Sequence, residues 1–298
     1  HRRARDAAVP RRAREDGMIA SPAGRLVLGT LRYAAMVAVA AVLLLPIWWI
    51  LVSAIRPGGE IFRYATDVGW RTLVPERLTL EHFRTMLASD MPRAISNSII
   101  VSLVTVVVGT MVNAAAGFAF AVFAFPLKRT LFAFVLLTFM MPFESIVIPL
   151  YTLVRTFEWT NTYAALIVPD LANGLVVFLF RQVFLGIPRE IYEAARVDGA
   201  SWWTIFLRLT MPLSGPTIAT AALMQFIHQW DAFFWPLVAA STPELVVVQV
   251  AIARNITLEQ ANWGGLFASA STAILLAMIP FLLLQRYFIR TVTASPDK

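Results

Sequence analysis

The sequence predicts an all-α, polytopic membrane protein with six transmembrane helices. Of its 298 residues 58% are hydrophobic and 14% charged, with a mean hydropathy of +0.69. Soluble domains do not have this composition. The apolar residues fall into six runs, at 33–55, 94–123, 131–154, 164–184, 217–239 and 267–287. Each is long enough to cross about 30 Å of hydrocarbon at about 1.5 Å per helical residue. The basic residues are also unevenly shared between the two sides that six spans would define.

The first run carries Trp48 and Trp49 near its end, where a membrane interface suits indoles. It is too long for a cleaved signal peptide. Residues 56–92 mix acids and bases and read as an external loop with short helices. In the second run Gly109, Asn113, Gly117 and Ala121 recur every four residues, so they share a face on which a second helix can approach closely. The sequence 125–129 is a tight basic turn. The third run contains Pro142 and Pro149 with Glu144 between them. A carboxylate there costs about 2.5–3.5 kcal/mol on insertion scales unless it is paired, protonated or faces a wet cavity. The fifth run holds Gln229, Trp230, Asp231 and Trp235 in its second half, and residues 240–265 form an external segment before the sixth run. Aromatic faces beside hydrogen-bonding groups suit sugar rings and hydroxyls. Glu144, Gln229, Trp230, Asp231 and Trp235 are therefore the candidates for a translocation path, although the two indoles could equally pack between helices.

Several chemistries are excluded. Without cysteine there are no disulfides, thiolate nucleophiles or cysteine-held metals. His1, His82 and His228 lie far apart and no HExxH occurs, so no metal site is expected. No GxxxxGK[ST] is present, so any ATP chemistry must come from a partner. No nucleophile and base pair is visible, and no catalytic residue is assigned.

The chain divides into a basic cytoplasmic tail (1–32), a membrane domain (33–290) and a short C-terminal tail (291–298). With the N-terminus inside, the inner segments hold 17 of the 25 basic residues. The bias places both termini in the cytoplasm, together with the segment between the fourth and fifth spans.

That segment, 188–216, is the longest polar interruption in the second half of the chain. Pro188 suits a first helical position. Residues 189–197 contain no helix breaker. Gly199 can take the left-handed conformation that stops a helix, and Ser201 can cap a second short helix, 202–209. Its spacing is particular: Glu193-Ala194-Ala195, three residues, Gly199, nine residues, then Leu209-Thr210-Met211-Pro212. This resembles the EAA loop of bacterial ABC importer permeases, with Leu209 and Met211 standing where that family usually has Ile and Leu. Further segments resemble the carbohydrate-uptake branch of those permeases, in its second-permease type. They are Leu78 to Phe83, the run MMPFESIVIPLY around Glu144, Asn161-Thr162-Tyr163, Arg181-Gln182 and Trp235-Pro236. His82 replaces the usual Asn, Asp231 replaces an Asn after Trp230, and the usual glycine-rich tail is absent.

The resemblance implies a type I ABC importer permease fold in the bacterial inner membrane. It implies that the loop 188–212 docks on a cytoplasmic ATPase through Glu190, Glu193, Ala194, Ala195, Arg196, Asp198 and Gly199. It also implies the partners: a second permease, two ATP-binding subunits that hold ATP and Mg, and an external solute-binding protein. No cofactor is expected in this chain. The expected function is half of the translocation path for a sugar or sugar-like solute. The alternatives are an ABC permease for another solute and an ion-coupled carrier working alone. A carrier would need an intramembrane relay, for which Glu144 and Asp231 are the candidates.

Overall fold

The computed structural model describes residues 22–63, 69–256 and 261–293. Its regular elements are helices, apart from one bridged pair, Ile256 and Ala261. The apolar helix α1 (Pro22–Ala54) starts before the expected first span. Residues 22–32 are thus helical, and the rest of the expected tail, 1–21, lies outside the described residues, as do 294–298.

The expected external loop contains α2 (Trp70–Leu73) and α3 (Glu81–Leu87). Arg56 is buried at its root and donates through Nη2 to the carbonyls of Arg71 and Thr72. His82 ties the loop down: its Nε2 lies 2.9 Å from the Arg56 carbonyl oxygen.

The long helix α4 (Met91–Val122) is the central post. After the basic turn come α5 (Lys128–Met140) and α6 (Phe143–Thr156), which meet at 104°. The expected third span is therefore broken. Pro142 lacks an N–H and disfavours the helical region for the residue before it. Met141 and Pro142 accordingly take extended ψ angles of 129° and 135°. Next are α7 (Tyr163–Ile167), a 3-10 turn (Val168–Asp170) and α8 (Gly174–Leu185), bent by 43° at the break.

The polar stretch forms α9 (Arg189–Val197) and α10 (Trp202–Thr204). The second helix does not stop at Leu209 as expected. It continues through a π-helical segment (Ile205–Thr210) into α11 (Met211–Leu213). The expected fifth span is α12 (Gly215–Trp230) and α13 (Phe234–Ala239), interrupted at 231–233. α14 (Val248–Ala253) precedes the last long helix, α15 (Trp263–Thr293). Among the described residues three helices are long and apolar enough to span a membrane alone, and up to five segments qualify if each bent pair counts as one. With α12 the arrangement is compatible with six passes.

α4 packs on α8 and α12, and α15 packs on α12 and α1. The small-residue face of α4 makes this possible. A Cβ on Gly117 would lie 2.7 Å from the Phe180 Cβ and 3.0 Å from the Arg181 amide nitrogen, and one on Gly109 would meet the Gln225 side chain. The stripe expected to pack helices does so. Of the most apolar stretch of α1 only 6% is buried, so most of that helix has no cover from this chain.

Candidate functional site

Two regions depart from simple apolar packing. One is the polar projection α9–α10, and the other is a set of helix breaks within the membrane segments.

α9 is strongly two-faced. Its apolar anchor is Tyr192, buried against Phe118 and donating its hydroxyl to the Phe184 carbonyl at 3.4 Å. Burial pushes this phenol above the ordinary tyrosine value, so it stays neutral. Phe118, Phe184, Trp202 and Phe206 complete an aromatic socket around the ends of α4 and α8. Glu190, Glu193, Ala194, Arg196 and Asp198 remain exposed, and Ala195 is half-buried.

The turn after α9 is built from backbone. Gly199 has φ +83°, and nothing lies within 4 Å of where its Cβ would stand. Glycine is needed here for conformation and not for space. The Ala200 amide returns to the Ala195 carbonyl and the Gly199 amide to Arg196, both at 3.0 Å, a closed helix end. Arg196 clamps the turn: Nη1 donates to the Ala200 carbonyl at 2.7 Å, and the guanidinium lies 5.2 Å from the centre of the Trp202 ring. Ser201 caps α10 by accepting from the Thr204 amide at 3.2 Å. The expected turn and cap are both present. Pro188 sits one residue earlier than expected, at the N-cap.

At the break between α7 and α8, side chains from neighbouring helices pair with the backbone. Asn113 of α4 is fully buried. Its Nδ2 donates to the Leu171 carbonyl at 3.0 Å and to Gln225 Oε1 at 3.2 Å, and its Oδ1 accepts from the Asn173 amide at 2.8 Å. Asn173 then caps α8 by accepting from the Leu175 and Val176 amides. Gln225 donates to Thr110 at 2.8 Å. The Leu171 carbonyl and the Asn173 amide at the break are thus paired, as irregular backbone at membrane depth requires. Sequence spacing had identified Asn113 only as a small packing residue. Its neighbours Thr110, Asn173 and Gln225 become visible as a network once the helices are docked.

The candidate path residues separate into two groups. Trp230 is buried and stacks on Phe226 at 5.5 Å. Trp235 is buried and donates to the Ala165 carbonyl at 2.8 Å. Both indoles are thus buried within this chain. Gln229 is buried too, with Nε2 3.5 Å from the Leu166 carbonyl. Glu144 and Asp231 are exposed, in the first turn of α6 and at the end of α12. The breaks that hold them adjoin: the Phe143 ring lies 6.5 Å from Phe234 and 6.2 Å from Trp235.

The Asn161-Thr162-Tyr163 segment is a structural corner. Asn161 has φ +56° and accepts from the Ser241 and Thr242 amides, Thr162 caps α7, and the Tyr163 hydroxyl donates to Asn97 at 2.7 Å. Arg181 lies over the Phe132 ring at 4.2 Å and donates to the Phe120 carbonyl.

An apolar bundle interrupted within its spans, with one polar helix rooted beside it, is by class a membrane transport permease. Residues 113–294 match the family described as binding-protein-dependent transport system inner membrane component, and the chain belongs to that family. It is 32% identical over 264 residues to an arabinooligosaccharides transport system permease protein, AraQ, of Halalkalibacterium halodurans, covering 87% of this chain and 93% of the relative. It is 27% identical over 255 residues to an sn-glycerol-3-phosphate transport system permease protein, UgpE, of Brucella abortus, covering 82% and 89%. Among solved structures it is similar to a chain of a bacterial ABC transporter involved in the import of the acidic polysaccharide alginate. The TM-score is 0.76 at 22% identity, over 90% of this chain and 98% of that one. At that identity the likeness speaks for the fold.

Proposed function

We propose that this chain forms half of the translocation path of an ABC importer for a carbohydrate or carbohydrate-like solute. α9 is the contact through which partner ATPases drive it. The observation that carries the coupling role is the geometry of α9: an aromatic anchor on one face, with Glu190, Glu193, Ala194 and Arg196 exposed on the rest. The solute class is supported by relatives whose names cite arabinooligosaccharides and lactose. Glycerol phosphate is the second class, supported by relatives of similar identity.

In this reading ATP and Mg are bound by two partner subunits and not by this chain. A second permease completes the path and a solute-binding protein delivers from outside. The residues that dock on the ATPase are Glu190, Glu193, Ala194, Ala195, Arg196, Asp198 and Gly199. Glu144 and Asp231 face the path, and both termini are cytoplasmic. Co-expression with the partner subunits tests the whole. The chain should retain an ATPase subunit through purification, and proteoliposomes should take up labelled arabinotriose or lactose only with ATP. Uptake driven by an ion gradient without any ATPase would overturn it.

The orientation has its own test, helped by the absence of native cysteine. Val197 is 88% exposed and Ser241 is exposed. In right-side-out cells an impermeant maleimide should label Ser241→Cys and spare Val197→Cys. The reverse pattern would invert the topology.

A further inference from the structure

Close in the chain to the polar network of Asn113 and Gln225 stands a pair of ionisable side chains at an open surface. His228 is on α12, three residues beyond Gln225, and Asp170 ends the 3-10 turn that leads into the break at 171–173. His228 Nε2 lies 3.5 Å from Asp170 Oδ1. Fully 61% of the His228 side chain and 20% of that of Asp170 are open to solvent in this chain.

The depth of the pair gives this exposure its meaning. At about 1.5 Å per residue, His228 stands about 20 Å along α12 from Gly215, well within about 30 Å of hydrocarbon. The level agrees with the contacts, since Gln225 meets Thr110 and Asn113 near the middle of α4. Ionisable side chains at that depth face a bundle interior or a water-filled cavity and not acyl chains. A second observation lies beside the pair. Gln229 is 6% exposed, yet its Oε1 has no hydrogen-bond partner. Its amide nitrogen approaches Leu166, one turn before Asp170. The surface where α12 meets the 166–170 turn therefore carries a carboxylate and an imidazole, with an unpaired amide oxygen buried on the residue next to His228, beside a broken helix. Discontinuous helices in transporters are where solutes are held.

We infer that Asp170 and His228 form a binding station on the translocation path for the hydroxyl groups of a polyhydroxylated solute. Asp170 accepts hydroxyl hydrogens. His228 offers a ring nitrogen to a hydroxyl and a flat face against which a sugar ring can rest. The carboxylate–imidazole contact holds both in place while the station is empty. The inference rests on the carbohydrate reading above, but it concerns residues that the sequence did not single out as path-lining.

The test uses the complete transporter, with cysteine-free partner subunits, reconstituted in proteoliposomes with its binding protein. His228→Cys should react with a charged, water-soluble methanethiosulfonate, and arabinotriose should slow the reaction. Leu283→Cys, on the exposed apolar surface of α15, should stay unmodified. Asp170→Asn, nearly isosteric, should raise KM for arabinotriose uptake by at least about fivefold with Vmax little changed, the pattern of lost binding. An unreactive His228→Cys in an assembled, ATP-hydrolysing transporter would overturn the station, as would Asp170→Asn with unchanged KM. If His228→Cys reacts but the wild type imports neither arabinotriose nor lactose, the carbohydrate class is wrong and the polyhydroxylated ligand falls with it. Normal wild-type import with both variants silent would spare the carbohydrate reading and remove only the station.

Discussion

Asn113 shows what one side chain can do for a membrane protein. It bonds the Leu171 carbonyl and the Asn173 amide, two backbone groups at the break before α8. Leucine at this position would fill similar space and pair with neither. The expected cost is roughly 1–3 kcal/mol for orphaned buried groups, at the lower end because membrane hydrogen bonds average nearer 0.6 kcal/mol. Asn113→Leu should therefore lower the thermal midpoint of the detergent-solubilised protein, and an unchanged midpoint would mean that the break is held by other contacts. Legibility at this scale followed locality. Gly199 and Ser201 act on chain neighbours, so their spacing disclosed them. Asn113, Gln225 and His228 act on residues distant in sequence, and no periodicity points to such partners. Trp230 and Trp235 were legible as aromatics but not as buried ones, because burial depends on docking: Trp235 packs where α7 meets α13, and Trp230 in a cluster shared with α4, α14 and α15.

The apolar runs located the helices well and their continuity poorly. Hydropathy averages over a window, so it does not register the loss of a single amide at Pro142, yet that loss accompanies a turn of 104° between α5 and α6. Glu144 and Asp231, placed by hydropathy deep in two continuous spans, instead stand next to breaks. The small-residue face of α4, by contrast, was readable, since a repeat of four needs only helical geometry. Gly117 gives the test for this element. A leucine side chain has nowhere to go between α4 and α8, where even a Cβ would lie 2.7 Å from Phe180. Gly117→Leu should push the helices apart at a cost of about 1–3 kcal/mol, the usual range for overpacking. The expected readout is reduced recovery of monodisperse protein. Recovery and melting equal to wild type would show that the two helices can separate freely.

For the molecule as a whole, the fold class was legible because lipid allows few architectures, and six apolar runs with a basic bias leave little else. The arrangement of the broken helices around the path was not, since it follows from docking. The central claim is that α9 transmits the motion of a partner ATPase to the spans. Its rigidity has two sources: Tyr192 seats one face in the aromatic socket, and Gly199 fixes the angle to α10. Valine at Gly199 meets no steric neighbour, but at φ +83° it carries a backbone penalty of about 1–2 kcal/mol. That is too little to unfold the bundle of membrane helices and enough to change the turn. The measurement is ATP hydrolysis and solute uptake by the same proteoliposomes, for wild type, Gly199→Val and Glu193→Ala. The predicted result is normal insertion for all three, abolished uptake in Gly199→Val with the ATPase weakly held or hydrolysing idly, and a milder version of this loss in Glu193→Ala. Uptake per ATP equal to wild type in Gly199→Val, at equal protein level, would contradict the coupling role of α9.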